Sequence, residues 1–324
     1  DLVADDPRVP ARNTRVISDE VRGAVVAALL PAMQNADAPG VATHVPAVVR
    51  ARAGAALGWI GDPRFDADAC WLPVATPEDP LRGFRFIPAG SFVMGSADDD
   101  AEAYADEKPQ HEETIARPCL MARWPVTVAQ FSAYLRSVGR KPAHPHWVLG
   151  PSNTPVRCVS MDEADAYCAW LTQQMAIGAT LTGTGMALAR RLGVARVQVR
   201  LPSEEEWEYV ARSGRDGLRY PFGMVDNVDC RNADDTHIGA PSAVGAFSRG
   251  ASRWRVEELS GNVPELTSSP WRGIYLSSFL RVVRGGSFSL SPRNVRSAFR
   301  QVGHPNGLGN LFGFRVVVAP ASDL

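Results

Sequence analysis

Apolar residues recur at helical spacing early in the chain. Val21, Val25, Val26, Leu29, Leu30 and Met33 line one side of a helix that Ser18 caps and that runs through Gln34. A second, alanine-rich helix is predicted from Pro46 to Leu57, stopping at Gly58. From about Phe84 the pattern shortens to β-type runs broken by glycine, proline and aspartate. Phe84–Ile87 and Ser91–Met94 read as a hairpin across Pro88-Ala89-Gly90. Thr127 caps a helix through Leu135. Ser160 caps another through about Gln174, with Ala164, Tyr167, Cys168 and Leu171 on one face. Ser203-Glu204-Glu205-Glu206 is a capping box that opens a third. Residues 176–198, with a short helix at Met186–Leu192, read as an insertion. The strands are too short and turn-rich for βαβ units. The expected architecture is α+β, with mixed antiparallel sheets, flanking helices and many loops in residues 81–324, after a short helical segment in 1–80.

Composition narrows the classes. The 324 residues are 45% apolar and 21% charged, enough for an ordinary core. Thirty-four basic against 35 acidic residues leave a net charge of -1, without the global basic field of a nucleic-acid binder. No apolar run approaches the roughly 18 residues of a membrane span. Lys108 and Lys141 are the only lysines, an arginine excess that fits GC-rich coding, a thermophilic source and guanidinium forks pinning irregular loops. Cys70, Cys119, Cys158, Cys168 and Cys230 are widely spaced, which removes zinc knuckles and thioredoxin-type motifs. An odd, scattered set favours buried thiols in a reducing, cytoplasmic compartment over a secreted protein, with a disulfide from Cys158 left open. The chain begins at Asp1 without methionine, which reads as a fragment and leaves a removed leader open. His111 starts no HExxH, His144-Pro145-His146 reads as an exposed turn, and Gly178–Gly185 lacks a phosphate-binding Gly-Lys-Ser/Thr. The acidic run Asp98-Asp99-Asp100 reads as a solvated loop.

A series of motifs then resembles one family in order. Phe86-Ile87-Pro88-Ala89-Gly90-Ser91-Phe92-Val93-Met94-Gly95-Ser96 is similar to the opening of the formylglycine-generating-enzyme/sulfatase-modifying-factor domain. Glu107-Lys108-Pro109-Gln110-His111, Trp124-Pro125-Val126-Thr127 and Arg200-Leu201-Pro202-Ser203-Glu204-Glu205-Glu206-Trp207-Glu208-Tyr209 follow. Tyr220-Pro221-Phe222-Gly223, Leu259-Ser260-Gly261-Asn262-Val263, Arg284-Gly285-Gly286-Ser287 and Gly313-Phe314-Arg315 complete the series. The resemblance covers about residues 84–320 and implies a C-type-lectin-like fold of the formylglycine-generating-enzyme type. Upstream, Arg52–Gly58 followed by Gly61-Asp62-Pro63-Arg64 resembles the end of a HEAT-type repeat; a helical linker packed on the main domain is the preferred reading. Glu206, Glu208 and Glu265 are expected to pair with Arg296, Arg300 and Arg315 as buried bidentate forks.

The resemblance implies an oxidase that uses two cysteines after the Gly-Gly-Ser motif to bind copper and engage a substrate cysteine. Here that segment, residues 288–297, has no cysteine, and hydroxyls do not replace thiolates for Cu(I). The related iron-dependent sulfoxide synthases need a histidine-rich helical domain, whereas residues 1–80 hold only His44. The expectation is a protein that is not an enzyme, with no copper and no required cofactor.

Residues 281–316 interleave a frame (Arg284, Gly285, Gly286, Ser287, Arg296, Ser297, Ala298, Arg300, Pro305, Gly313, Phe314, Arg315) with unrelated residues. This grain resembles the variable region of proteins diversified by diversity-generating retroelements. It implies a ligand surface of Phe288, Ser289, Leu290, Ser291, Arg293, Asn294, Phe299, Gln301, Val302, Gly303, His304, Asn306, Leu308, Asn310 and Leu311. Exposed aromatic and aliphatic groups beside adaptable polar ones suit a paratope, so the expected ligand is a protein. A protein interface needs roughly 800 Å² a side, so the 176–198 insertion is expected to add contact area. The family also implies structural calcium on Asn262, the Val263 carbonyl and Glu265, oxygen donors of the kind calcium takes. Pro264 and Leu266 stand there in place of the family's tryptophans. Two readings remain beside the binding protein: a divergent oxidase of the same family, and an interaction module of a larger signalling or defence protein.

Overall fold

A computed structural model describes residues 18–34, 45–141, 150–215, 217–272, 280–304 and 311–321. Six α-helices and twelve strands form along these residues, mostly in runs of one kind. The helices are α1 (Asp19–Gln34), α2 (Ala47–Ile60), α3 (Val128–Ser137), α4 (Met161–Ile177), α5 (Thr182–Leu192) and α6 (Glu204–Ala211). Thr127, Ser160 and Ser203 cap α3, α4 and α6, each in a reciprocal box with Gln130, Glu163 or Glu206 three residues on. The expected stop of α2 at Gly58 is overturned. The helix continues to Ile60 because Gly58 faces Pro151 and Asn153 so closely that a Cβ would lie 2.3 Å from the Asn153 amide oxygen. The smallest residue serves contact there, and Gly61, at φ 105°, ends the helix instead.

Two four-stranded sheets organise the domain. The first has the order β3 (Phe84–Ile87), β6 (Cys119–Ala122), β12 (Val317–Pro320), β7 (Val197–Arg200), all antiparallel. The second has the order β10 (Arg300–Gly303), β9 (Arg281–Arg284), β8 (Glu265–Pro270), β11 (Gly313–Phe314), with β8 and β11 parallel. Two hairpins, β1 (Phe65–Asp66) with β2 (Leu72–Pro73) and β4 (Gly90–Met94) with β5 (His111–Ile115), complete the α+β fold. The expected hairpin of Phe84–Ile87 with Ser91–Met94 does not form. The Pro88-Ala89 corner sends β3 to β6 and β4 to β5, in different sheets.

The first sheet is buried on both faces. Phe84, Leu120, Val199 and Val318 point toward α3 and α4, while Ile87, Cys119, Met121 and Val317 point toward α6 with Trp207. Alternation along the strands therefore feeds two cores, with Arg85 and Arg200 at the edges of the α6 face. The insertion is part of this packing. Leu181 and Leu188 are buried in the larger core, and α5 packs on α4, β6, β7 and β12, while Ile177 and Met186 of the insertion stay exposed.

The N-terminal helices rest on the same body. Met33 and Leu57 pack with Ala243, Ala246 and Phe247, and the buried Arg50 donates to the Ala246 carbonyl at 2.8 Å and the Asp229 carbonyl at 2.8 Å. All five cysteines are free thiols; four are buried and Cys70 is half-buried. Among the described residues no helix is long and apolar enough to cross a membrane.

Candidate functional site

The segment after β9 is held by its backbone. At Gly286 (φ 67°) a Cβ would stand 2.1 Å from the Asn294 carbonyl oxygen, so the chain folds back on itself only with glycine there. Gly286→Ala is expected to destabilise the protein by roughly 1–3 kcal/mol, read as a lowered urea midpoint. Beyond the turn, Phe288 N donates to the Asn262 carbonyl at 2.9 Å, Asp234 N to the Leu290 carbonyl at 3.0 Å, and Ser260 Oγ to the Val295 carbonyl at 2.8 Å. Arg284 donates to the carbonyls of Ser297 (2.6 Å) and Ala298 (3.1 Å). Arg296 holds both oxygens of Glu107 at 2.7 Å and the Glu102 carbonyl at 2.9 Å. Guanidinium forks thus fix an irregular loop.

Those forks do not all take the expected carboxylates. Arg315 pairs with Glu265, both at 0% exposure. Glu206, however, takes Arg200, Arg296 takes Glu107, Arg300 takes Glu204, and Glu208 joins Arg212 and Arg284. Acid and base types alone do not specify partners: Glu107 and Arg296 lie 189 residues apart, whereas Glu206 takes Arg200 only six residues away. Burial pushes the Glu208 carboxyl up, but Arg284 and Arg212 outweigh it and hold the group below its ordinary range. At Glu204 burial prevails over Arg284 and Arg300, and its carboxyl sits above that range.

The frame and the remaining residues separate by exposure. Ser287, Arg284, Arg296, Ser297 and Ala298 are buried. Ser289, Arg293, Val302 and His304 are exposed, and Leu290, Ser291, Asn294, Gln301 and Leu311 are half-buried. Three expected surface residues are not on the surface. Phe288 is buried, Phe299 is buried against the Tyr104 ring (centroids 5.8 Å apart), and Gly303 is a contact where a Cβ would meet Val283 at 2.6 Å. Asn306, Leu308 and Asn310, with the frame residue Pro305, lie outside the described residues, as do His144 and His146.

Residues distant in sequence border the same segment. Arg293 stacks over Tyr104 at 4.0 Å and donates to the Glu102 carbonyl, while the Tyr104 hydroxyl meets Asn294. Arg219 grips Asp100 and Glu102, so the acidic loop is anchored rather than merely solvated. The Tyr220 and Phe222 rings stack and pack with Val295, and Met224 and Val225 follow them at 59% and 81% exposure. The sequence pointed to Arg293, Asn294, the acidic run and the Tyr220-Pro221-Phe222-Gly223 motif, but nothing singled out Tyr104 or Met224.

The expected calcium donors do not fit a cation. Both Glu265 oxygens accept from Arg315, at 2.6 and 2.7 Å, and Oε2 also accepts from the Trp207 indole at 2.8 Å. The Asn262 side-chain oxygen accepts from Ser242 N at 3.0 Å. Among the described residues no group of three His, Cys, Asp or Glu side chains converges as metal ligands.

The Gly-Gly turn, the Trp207 helix and the closing Gly-Phe-Arg strand meet at one place. The sequence pattern of the sulfatase-modifying factor enzyme 1-like domain matches residues 72–320. The chain belongs to that family. The formylglycine-generating enzyme of Thermomonospora curvata is 30% identical, over 80% of this chain and 99% of that protein. The hercynine oxygenase of Mycobacterium tuberculosis is 32% identical over 48% of this chain, which spans about a third (34%) of that enzyme's length. Treponema denticola variable protein 1 shares the fold, with a TM-score of 0.57 at 19% identity over 73% of this chain and 95% of that one.

Proposed function

We propose that this sulfatase-modifying-factor-like domain is a non-catalytic ligand-binding protein, a variable protein of a diversity-generating retroelement. The carrying observation is that a segment pinned by a largely buried, hydrogen-bonded frame carries four exposed side chains along it. Exposed side chains tolerate replacement better than buried ones; Ser289, Arg293, Val302 and His304 are exposed, with Leu290, Ser291, Asn294, Gln301 and Leu311 half-buried beside them. An aliphatic and polar mixture on a rigid scaffold suits recognition of a protein surface. The absence of cysteine beyond Cys230 supports the lack of oxidase chemistry. The shared fold of the Treponema variable protein supports only that such proteins are built this way.

Kinship with the Thermomonospora enzyme favours the second reading, a divergent oxidase. Incubation with Cu(I) and a cysteine-containing peptide distinguishes them: no formylglycine is expected, and turnover would overturn the binding reading. Genomic DNA gives the positive test. A near-copy of the region encoding Arg281–Phe314, differing mainly at adenines and close to a reverse transcriptase, is expected; its absence removes the diversification claim. Substitution supplies a third check. Ser289→Asn and Val302→Ser are each expected to shift stability by no more than about 0.5 kcal/mol, whereas frame changes cost several times more.

A further inference from the structure

Residues 222–235 display apolar side chains on a loop that is held in place. Tyr220 and Gly223 exchange backbone bonds at 2.9 and 3.1 Å, and the Phe222 ring lies nearly parallel to that of Tyr220, with centroids 5.2 Å apart. The Asn227 side chain accepts from Asp229 N at 2.9 Å, and Cys230 N donates to the Asn227 carbonyl at 3.0 Å. Met224, Val225 and Val228 are nevertheless exposed. Aliphatic groups gathered in water on a fixed loop and bordered by polar ones mark an interaction surface. A cleft of about 160 Å³ opens beside Met224, with Leu218 and Asp100 in the same wall, room for one anchoring side chain of a partner. The patch adjoins the 281–316 segment at the bond from Asp234 N to the Leu290 carbonyl and shares no side chain with it.

The charges around this loop state what such a partner carries. Arg231, its side chain at 0% exposure, holds Asp226 and Asp235, whose side chains are 34% and 41% exposed. The guanidinium is covered while both carboxylates face solvent, one more negative charge than it balances. Its hydrogen bonds hold the Asp235 carboxyl below its ordinary range, so that group stays ionised. Asp234, next to it, is exposed, and among the described residues no cation pairs with it. The same imbalance recurs across the cleft, where Arg219 is shared by Asp100 and Glu102. The exposed bases His237 and Arg249 lie toward the Asp235 and Cys230 end of the patch. An apolar centre with a carboxylate border attracts an approaching cation and repels nucleic acid and anionic lipid.

We propose that residues 222–235 are a fixed docking surface for a basic protein segment, one that presents lysines or arginines on either side of an aliphatic or aromatic anchor. Fluorescence anisotropy of the whole chain with a labelled Lys-Leu-Lys-Trp-Lys-Leu-Lys peptide tests it. A dissociation constant of roughly 100 μM or tighter is expected at about 50 mM salt, weakening at least about threefold at about 300 mM. The Glu-Leu-Glu-Trp-Glu-Leu-Glu peptide should not bind, and Lys-Ser-Lys-Ser-Lys-Ser-Lys should bind about tenfold more weakly. Asp234→Asn and Val225→Ser each change one exposed side chain outside any ion pair and keep the fold; combined, they should weaken the basic peptide about tenfold. Ile177→Ser, at a similarly exposed aliphatic residue on α4, should leave its affinity unchanged. No binding of the basic peptide at about 1 mM overturns the proposal. So does equal affinity for the acidic or the serine peptide, a double variant that binds as the parent does, or an equal loss in Ile177→Ser. The flanking DNA is unaffected by any of these results, so diversification and this docking surface stand or fall separately.

Discussion

Arg315→Ala is expected to cost about 3–5 kcal/mol of folding stability, the largest effect of any single substitution considered. Arg315 donates through Nε and Nη2 to the two oxygens of Glu265, and also reaches the carbonyls of Ala122 at 3.1 Å and Glu257 at 2.8 Å. Truncation leaves a fully buried carboxylate with only the Trp207 indole as donor, and strips several carbonyls of theirs. The loss is therefore mainly the penalty of a stranded charge, rather than the worth of the pair. It follows that Arg315→Ala combined with Glu265→Gln should be less damaged than Arg315→Ala alone by at least about 1 kcal/mol. Urea unfolding of the two variants measures both. An unchanged midpoint for Arg315→Ala would remove the pair from any account of how the closing strand is held.

A pH series should expose Glu258. Burial and the adjacent Glu257 push its carboxyl up to about 7, against the pull of the Gly245 N–H, the Asn262 amide and Arg315. The folded value lies above the ordinary 4.5, so folding takes up a proton between the two. The contribution is fully present below about pH 4.5 and is lost as pH rises through 7, where the folded protein must hold a buried charge without a cation. At about 1.4 kcal/mol per pKa unit the span is about 3 kcal/mol. Glu258→Gln cannot titrate, so its stability relative to the parent should improve by about 2.5 kcal/mol from pH 5 to pH 8, whatever its baseline. A constant difference across that range would show that Glu258 ionises normally.

Local chemistry was legible in the sequence, and long-range pairing was not. Ser160 and the Ser203–Glu206 box announced their helices, because a cap is completed within four residues. The strand Phe84–Ile87 was also readable, yet its partner is Cys119–Ala122, beyond an entire hairpin. Proximity in sequence suggested β4, and a two-residue corner decided otherwise. At the candidate surface the frame arginines were readable as pins, but not which carbonyls they would grip. Phe288 and Phe299 looked like contact residues because an aromatic serves equally well in a core and in a paratope. Their burial is decided by Tyr104 and other groups that no local pattern connects to them.

The position of β12 carries a consequence for biosynthesis. This last strand lies between β6 and β7 in the middle of its sheet, and β11 just before it seats on β8. A growing chain can therefore make every helix and still wait, with an open sheet, until residues 313–320 have left the ribosome. Everything between β9 and β11 must already be threaded compatibly when that happens. A substitution in residues 281–304 that blocks the final strand would thus leave an unclosed chain, exposed to proteolysis.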